Sequence, residues 1–290
     1  MIRLAECTYR EAGRLARDER AIVILPLGAI EQHGPHLPLL VDWLGAEELA
    51  RHVAPHLERA GYRVVLAPAI PYGASALAET WPGTVSLSRA TLRRVIVEVI
   101  GSLARHGFRR FVLANYQADP GHLRAMAEAK RELTRAGSRH RSKGRRFRVL
   151  FAGFSPETPS RGAMLDPRVL RLSRSPYPER EWHSGELETA LVMAKRPDLV
   201  RRVLARSLPP VWVDFRSALQ KGARRFEEIA PGGLGYFGWP AAARASTANR
   251  ALKLRGRLIA HQLLGSGLEL RHSRAARSTR TRPPARKPDR

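Results

Sequence analysis

Three short apolar runs, each followed by a polar loop and an amphipathic helix, constrain the fold of this 290-residue chain most strongly. The runs occupy residues 21–26, 62–70 and 108–113, and the first is an uninterrupted series of aliphatic residues. Such a series is typical of a strand that is buried on both faces. Because parallel strands are joined by helical crossovers, the repeated alternation predicts an α/β fold with a mostly parallel, doubly wound sheet. We expect one domain over residues 1–268 and a basic, disordered tail over residues 269–290.

The loop after the first run carries three side chains that metals bind. Glu31, His33 and Asp42 lie within twelve residues of one another, just beyond a predicted strand, where open α/β sheets place their ligand sites. Glu31 and His33 are two residues apart, so in an extended segment both side chains leave the same face. Carboxylate and imidazole suit zinc, manganese or iron, and a second carboxylate could bridge two ions. The alternative is an ordinary polar surface loop.

Four segments of the chain form an ordered series of motifs. They read Glu-Gln-His-Gly-Pro-His-Leu-Pro-Leu at residues 31–39, Trp-Pro-Gly-Thr at 81–84, Asn-Tyr-Gln at 115–117 and His-Ser-Gly-Glu-Leu-Glu-Thr at 183–189. In this order they resemble the creatininase family of metal-dependent amidohydrolases. The resemblance implies a three-layer α/β/α fold with a mostly parallel central sheet. It also implies hydrolysis of an amide C–N bond by metal-activated water, a small-molecule amide substrate and a homo-oligomer, commonly a hexamer.

The resemblance adds further metal ligands to those in the first loop. Gln117 stands where the family pattern has a histidine ligand, and Asp119 falls where some members carry a metal-binding glutamate. An amide oxygen is a weaker zinc ligand than imidazole, so the number of ions, one or two, stays open. Zinc is the favoured ion, with manganese or iron as alternatives. The predicted ligand set is Glu31, His33, Asp42, Gln117, Asp119 and Glu188.

The fourth segment supplies the predicted catalytic residues. His183 is the predicted general acid toward the leaving nitrogen, and Glu188 completes the ligand set or moves the proton. A Glu-x-Glu pair at a helix start is also ordinary helix-capping chemistry. Trp81, Trp182 and Tyr116 are predicted to contact the substrate, with core packing as the alternative for the two tryptophans.

Departures from the family pattern bear on substrate and activity. Leu77 and Ala78 stand where family members commonly have Glu-His, so creatinine itself is not favoured, and a small formamide or a peptide-like amide stays open. The alternative function is a divergent family member without a full metal site, acting as a non-catalytic binding or scaffold protein.

The net charge of +25 suggests a third possible class of function, nucleic-acid binding. Residues 131–148 and 271–290 each carry eight Lys or Arg against one acidic residue, so together they supply 14 of the 25 charges. Both stretches lack the interleaved aromatic residues that stack on bases. Solvated basic segments are therefore the favoured interpretation, with weak polyanion association as the alternative.

Location and redox state follow from what the sequence lacks. No apolar run approaches the roughly 20 residues that cross a bilayer, and the first residues show no secretory signal pattern. The single cysteine, Cys7, excludes an internal disulfide. We expect a cytoplasmic protein with no membrane partner.

Overall fold

The computed structural model of the chain describes residues 1–139, 148–157, 162–266 and 268. Within these residues five strands form one sheet: β1 (Ile2–Arg3), β2 (Ala21–Leu27), β3 (Arg63–Leu66), β4 (Arg110–Asn115) and β5 (Arg148–Gly153). The α-helices are α1 (Tyr9–Arg17), α2 (Val41–Arg59), α3 (Arg89–His106), α4 (Pro120–Arg139), α5 (Pro167–Leu170), α6 (Glu186–Lys195), α7 (Arg202–Ser207), α8 (Phe215–Gln220), α9 (Phe226–Ile229) and α10 (Ala245–Gly265).

The strands are parallel throughout this sheet and have the order β1-β3-β2-β4-β5. β2 is central, and all seven of its residues are buried. Val23 of β2 lies opposite Phe111 of β4, and Leu27 lies opposite Asn115. After β3 the chain crosses over β2 to form β4 on the other side, so the direction of winding changes at the β2/β4 pair. The predicted parallel, doubly wound sheet is confirmed.

Alternate residues of β2 supply the cores on the two faces of the sheet. Ile22 and Ile24 belong to a core built with α2, α6 and α10, whereas Val23 and Leu25 belong to a second core built with α1, α3 and α4. This division follows from the period of two along a strand. Helices therefore cover both faces of the sheet, and the predicted three-layer α/β/α architecture is confirmed.

Local signals in the sequence fix the helix ends. Thr8 and Glu11 form the capping box that starts α1, and the Ser88 hydroxyl accepts from the Thr91 amide at the start of α3. Gly107 ends α3 with a φ of 118°, a conformation that glycine adopts without a steric penalty.

A segment without regular long elements, residues 209–239, packs beside the carboxyl ends of the strands. Residues 209–215 form no strand, and within them only Val211 pairs, in an isolated bridge to Gly238. Two prolines, at positions 209 and 210, remove consecutive N–H donors that a strand would need. Instead the segment contributes three rings that, with Trp182, form a cluster that we name the aromatic cover: Trp182, Phe215, Phe226 and Phe237.

Two sequence expectations concern residues that are only partly described. Residues 140–147 of the first basic stretch and residues 269–290 of the expected tail lie outside the described residues. Among the helices that are described, none has both the length and the apolar character of a membrane span.

Candidate metal centre

The candidate site lies at the carboxyl ends of β2 and β4, where the winding of the sheet changes direction. The loop after β2 carries Glu31 and His33, Asp42 opens α2, and the loop after β4 carries Gln117. Glu188 reaches the same place from the first turn of α6. Parallel α/β sheets bind ligands at such switch points because two loops diverge there and leave a crevice.

His33 has the geometry of a metal ligand. Its side chain is fully buried, and Nδ1 lies 3.0 Å from the backbone carbonyl of Glu31, an arrangement in which Nδ1 carries the proton. Nε2 then points away from the backbone, toward the carboxylates, and it has no hydrogen-bond partner. It lies 3.7 Å from Asp42 Oδ1 and 3.8 Å from Glu188 Oε2, too far for hydrogen bonds. His33 Nε2 therefore faces one oxygen of each carboxylate without bonding to either.

The site concentrates buried negative charge. Burial and the nearby Asp42 carboxylate raise the pKa of Glu31 to about 8, and burial also raises the pKa of Glu188. Burial alone would lower the pKa of His33, but the carboxylates of Asp42, Glu188 and Glu31 outweigh it and raise that pKa to about 10. Buried carboxylates at this density require positive charge beside them, which a divalent cation supplies.

The turn before α6 aims Glu188 into the site. Ser184 has a φ of 54° and is the one non-glycine residue with positive φ among the residues that the structure describes. Its backbone N–H donates to Glu188 Oε2 at 2.6 Å. Strained backbone of this kind costs on the order of 1–3 kcal/mol and concentrates at functional sites.

His183 stands next to His33, with ring centroids 4.3 Å apart. Its Nε2 lies 2.9 Å from the backbone carbonyl of Gln32 and 3.8 Å from Glu31 Oε1. Burial, reinforced by the charge on His33, holds the pKa of His183 well below its usual range. The ring is therefore neutral at neutral pH, the form in which imidazole binds metals. A nitrogen of His183, one of His33 and an oxygen of Glu188 all lie within 4.8 Å of one another.

Gln117 reaches the site, but its carbonyl oxygen does not face it. Oε1 accepts from the backbone N–H groups of Ala118 at 2.6 Å and Asp119 at 3.0 Å. The amide nitrogen Nε2 donates to Glu31 Oε2 through a short hydrogen bond and to Ser75 Oγ at 3.0 Å. The group that Gln117 presents to the carboxylates is thus a hydrogen-bond donor.

Asp119, predicted as a ligand, is engaged by backbone amides. Oδ1 accepts from Gly121 N–H at 2.6 Å, which caps the start of α4, and Oδ2 accepts from Leu77 N–H at 3.1 Å. The Asp119 carboxylate ties the loop around Leu77 to α4, and these contacts give its predicted role as a metal ligand no support.

The neighbouring carboxylate on α6, that of Glu186, also has a structural environment. It is fully buried, and its Oε2 accepts from the Ser173 hydroxyl, from Arg174 N–H at 2.7 Å and from Ser175 N–H at 2.9 Å. Of the Glu-x-Glu pair, only Glu188 faces His33.

The aromatic residues predicted to contact substrate have different surroundings. The Tyr116 ring is buried in the core, against Gly45 and 5.9 Å from the Phe154 ring. Trp182 stacks on Phe215 with centroids 5.7 Å apart. Trp81 is partly exposed, in the loop that joins β3 to α3. Tyr116 therefore packs in the core behind the site, and of the three residues Trp81 has an exposed part of its side chain in a loop.

Four residues near the site were not singled out from the sequence. The Gln32 amide nitrogen donates to the Gly235 carbonyl at 2.8 Å and so joins the β2 loop to the segment carrying the aromatic cover. Ser75 accepts from Gln117, and Phe226 packs 4.6 Å from the His183 ring. Arg255 is a buried arginine of α10 whose charge acts on Tyr116 and Glu188. Only Gln32 lies in a quoted motif; the other three are distant in sequence and carry no local signal.

The donor set fits a divalent metal ion. His33 Nε2 and Asp42 Oδ2 are both buried and lack hydrogen-bond partners, although polar atoms so placed are normally satisfied. One imidazole and two carboxylates are a ligand combination found for zinc and manganese. An ion among His33, Asp42 and Glu188 would satisfy both unpartnered atoms and offset the buried negative charge.

Comparison with known proteins agrees with this site. The sequence model of the creatininase family, described as creatinine amidohydrolase, matches residues 5–263. A creatinine amidohydrolase of Pseudomonas putida is 33% identical over 209 residues, which are 68% of this chain and 73% of that protein. A mycofactocin precursor peptide peptidase of Mycobacterium tuberculosis is 34% identical over 173 residues, 56% of this chain and 63% of that protein.

Solved structures show the same fold. A crystal structure of creatinine amidohydrolase superimposes with a TM-score of 0.70 at 27% identity, covering 93% of this chain and 99% of that one. Structures described as creatininase with Mn and as a mutant creatininase of Zn-Zn type have TM-scores of 0.69 and 0.67 at 27% and 26% identity. They cover 92% of this chain and 99% and 98% of their own. The relatives and the His33–His183–Glu188 group together support a divalent metal in this protein.

The family match extends over most of the chain, and the fold and the grouped His and Glu side chains agree with it. The chain belongs to the creatininase family and is a hydrolase acting on C–N bonds.

Proposed function

We propose that this protein hydrolyses a C–N amide bond of a small non-peptide or peptide-like substrate, with a divalent ion bound by His33, Asp42 and Glu188. The observation that carries the proposal is the pair of buried, unpartnered atoms, His33 Nε2 and Asp42 Oδ2. The spacing of 3.7 Å between His33 Nε2 and Asp42 Oδ1 supports it, because it leaves the two side chains adjacent but not bonded. Zinc and manganese are the proposed ions.

A bound divalent ion supplies Lewis acidity at the amide carbonyl and makes water a stronger nucleophile near neutral pH. The protein side chains hold and orient the reacting groups. Backbone contacts fix two of the donors, because His33 Nδ1 lies against the Glu31 carbonyl and Glu188 Oε2 accepts from Ser184 N–H. Metal ligands that are held by such backbone hydrogen bonds keep their orientation during the reaction.

Glu31 and His183 are the proposed proton-transfer pair. Glu31 Oε1 lies 3.8 Å from His183 Nε2, and the other Glu31 oxygen is held by the Gln117 amide. In the proposed reaction the water oxygen bonds to the carbonyl carbon and a water proton passes to Glu31. The C–N bond then breaks, and the proton held by Glu31 passes through His183 to the leaving nitrogen, which returns both side chains to their starting states. The products are a carboxylic acid and an amine.

The aromatic cover limits the access of water on the side of His183. Phe226 packs at 4.6 Å from the His183 ring and 5.2 Å from Phe237. Excluding water strengthens electrostatic interactions within a site. Trp81, partly exposed in its loop, is the proposed contact for a flat substrate.

A small amide other than creatinine is the proposed substrate class. Creatinine and a peptide are the substrates named by the relatives. In this chain the Leu77 and Ala78 side chains are buried and pack with Phe226, so this part of the loop offers apolar contacts. Charged recognition of a substrate at this point is therefore not proposed.

The test is chelator-sensitive hydrolysis. The protein is purified without chelators, stripped with a strong chelator and reconstituted with zinc or manganese. Hydrolysis is then measured as ring opening of creatinine to creatine and as amine release from formamides and short peptide amides. We expect hydrolysis of at least one amide that disappears on stripping and returns with the ion. Asp42→Ala should bind no ion and show no activity. A wild-type chain that folds but binds no divalent ion would refute the proposal.

Three broader expectations are also kept as proposals: assembly as a homohexamer, a cytoplasmic location and weak polyanion association through the basic stretches. Analytical ultracentrifugation tests the first directly. A single species with the mass of one 32.4 kDa chain would exclude an oligomer under those conditions.

A further inference from the structure

Side chains around the candidate metal centre fall into two groups, those with free donor atoms and those already engaged by the protein. His33 Nε2 and Asp42 Oδ2 are buried without partners, and Glu188 Oε2 lies 3.8 Å from His33 Nε2. Both carboxylates therefore face the free nitrogen of His33, and Glu188 Oε2 also accepts one hydrogen bond, from Ser184 N–H. Any second ion would need donors from the opposite side, where Glu31, Gln117 and Asp119 lie.

Gln117 cannot serve as a metal ligand in the orientation it has. The backbone N–H groups of Ala118 and Asp119 donate to its Oε1. These two donors identify that atom as the amide oxygen and exclude the flipped orientation of the amide. The amide nitrogen must then point to Glu31 and Ser75. An amide NH₂ group donates two hydrogen bonds and has no lone pair available to a metal.

The two carboxylates on this side are also engaged, Glu31 through one oxygen and Asp119 through both. Glu31 Oε2 accepts from the Gln117 amide, which leaves Oε1 directed toward His183. Asp119 uses Oδ1 for Gly121 N–H and Oδ2 for Leu77 N–H. Moving Asp119 into the site would leave both of these backbone donors unsatisfied in a buried region, at a cost of about 1–3 kcal/mol for each.

From this division of donors we propose that the chain binds one divalent ion, through His33, Asp42 and Glu188, and that the Gln117 amide holds Glu31 in place of a second ion. The inference rests on the proposed function, since it concerns the same site. It differs from the Zn-Zn description of a related creatininase structure. In this arrangement Gln117 is a positioning residue that orients the Glu31 carboxylate.

The number of ions per chain tests the proposal without an activity assay. Metal-stripped protein is titrated with Mn²⁺, bound ions are counted by native mass spectrometry, and spin coupling between ions is followed by electron paramagnetic resonance. We expect one uncoupled Mn²⁺ per wild-type chain. We expect two coupled ions per chain in Gln117→His, because the imidazole replaces a donor with a lone pair and releases Glu31. Gln262→His, on the exposed end of α10, controls for a histidine that merely adds surface binding.

A second variant keeps the test decisive if Gln117→His does not fold. Gln117→Leu should retain one ion with a Kd within about tenfold of wild type, the lower end of what outer-shell changes cost. Asp42→Asn should lose the ion. Two ions in the wild type, or loss of the single ion in Gln117→Leu, would overturn this inference and leave the hydrolase proposal standing. No ion in a folded wild-type chain would instead overturn the proposed function.

Discussion

Glu186 and Glu188 lie two positions apart at the start of α6, yet their carboxylates have different surroundings. Glu186 accepts three hydrogen bonds from residues 173–175, whereas Glu188 faces the unpartnered nitrogen of His33. At the scale of single residues, therefore, the same side chain serves stability at one position and, in the proposed function, metal binding at the other.

We expect Glu186→Gln to lower the free energy of unfolding by about 2–3 kcal/mol, because a buried carboxylate with three donors loses its charge. Its ion content should stay that of wild type. The matched change Glu188→Gln should remove ion binding and leave the metal-free protein as stable as wild type. Urea unfolding of metal-free samples and elemental analysis measure the two effects. An empty site in Glu186→Gln would contradict this assignment of roles.

At the scale of elements, the contact between α2 and the loop after β4 depends on the absence of one side chain. A Cβ on Gly45 of α2 would lie 2.4–2.6 Å from ring carbons of Tyr116, closer than such atoms approach. Tyr116 precedes Gln117, so the packing of this helix also positions the side chain that holds Glu31.

We expect Gly45→Ala to destabilise the protein by about 1–3 kcal/mol, since the Tyr116 ring must shift in a packed core. This expected loss has the opposite sign to the effect of helix propensity, which favours alanine over glycine by about 1 kcal/mol. Gly13→Ala in α1 is the matched control: its Cβ would meet only Arg17, at 3.7 Å, so it should be neutral or stabilising. Thermal unfolding of both variants tests the pair, and a stabilised Gly45→Ala would show that the ring moves freely.

An ion pair between a buried carboxylate and a partly exposed lysine joins α2 to α6. Glu48 Oε2 lies 2.9 Å from Lys195 Nζ, and Arg51 also contacts the carboxylate. Burial would raise the pKa of Glu48, but the hydrogen bonds from Lys195 and Arg51 outweigh it and lower the pKa below its ordinary 4.5. Because folding lowers this pKa, the pair contributes stability that is present above pH 4.5 and is lost as the pH falls through the folded-state value.

We therefore expect Glu48→Gln to cost about 1–2 kcal/mol at pH 7, from the lost charged hydrogen bonds. The difference from wild type should shrink steadily below pH 4.5. Glu98→Gln is the exposed control, because Glu98 pairs with Arg94 one turn earlier in α3. It should cost less than about 0.5 kcal/mol at any pH. Urea unfolding between pH 3 and pH 7 follows the three proteins. A Glu48→Gln penalty that is constant down to pH 3 would show that charge does not stabilise this contact.

At the scale of the whole molecule, the sequence predicts the central sheet better than it predicts the segment of residues 209–239, which packs beside the sheet. Each strand of the doubly wound sheet is a local apolar run, so β2, β3 and β4 were expected near their observed positions. The aromatic cover joins Trp182 to rings between residues 215 and 237, and no period links residues so far apart. It could not be predicted without the fold that brings them together.

The types of side chain in the site were predictable, but their directions were not. Glu31, His33 and Asp42 lie close together as their spacing suggests. The orientation of the Gln117 amide depends on backbone donors that exist only in the folded loop. Asp119 did carry a usable signal, because an aspartate followed by proline is typical of a helix N-cap, and Asp119 indeed caps α4.

The distribution of charge over the whole chain leads to the last prediction. Residues 271–290 carry a net charge of +7 and lie outside the described residues, and the sequence predicts that they belong to a tail. We expect a chain ending at residue 268 to keep the melting temperature and ion content of wild type. Its elution from a heparin column should require less salt, since fewer cations remain to contact the polyanion.

A charge-matched control separates the tail from the basicity of the folded domain. Replacing four of the tail arginines, at positions 274, 277, 280 and 282, by glutamine keeps the length and removes four charges. If the tail binds polyanions through charge alone, this variant should elute between the wild type and the truncated chain. Equal elution of all three would place the polyanion affinity in the folded domain, whose own net charge is also strongly positive. A truncated chain that melts at a lower temperature would show instead that residues beyond 268 contribute to the fold.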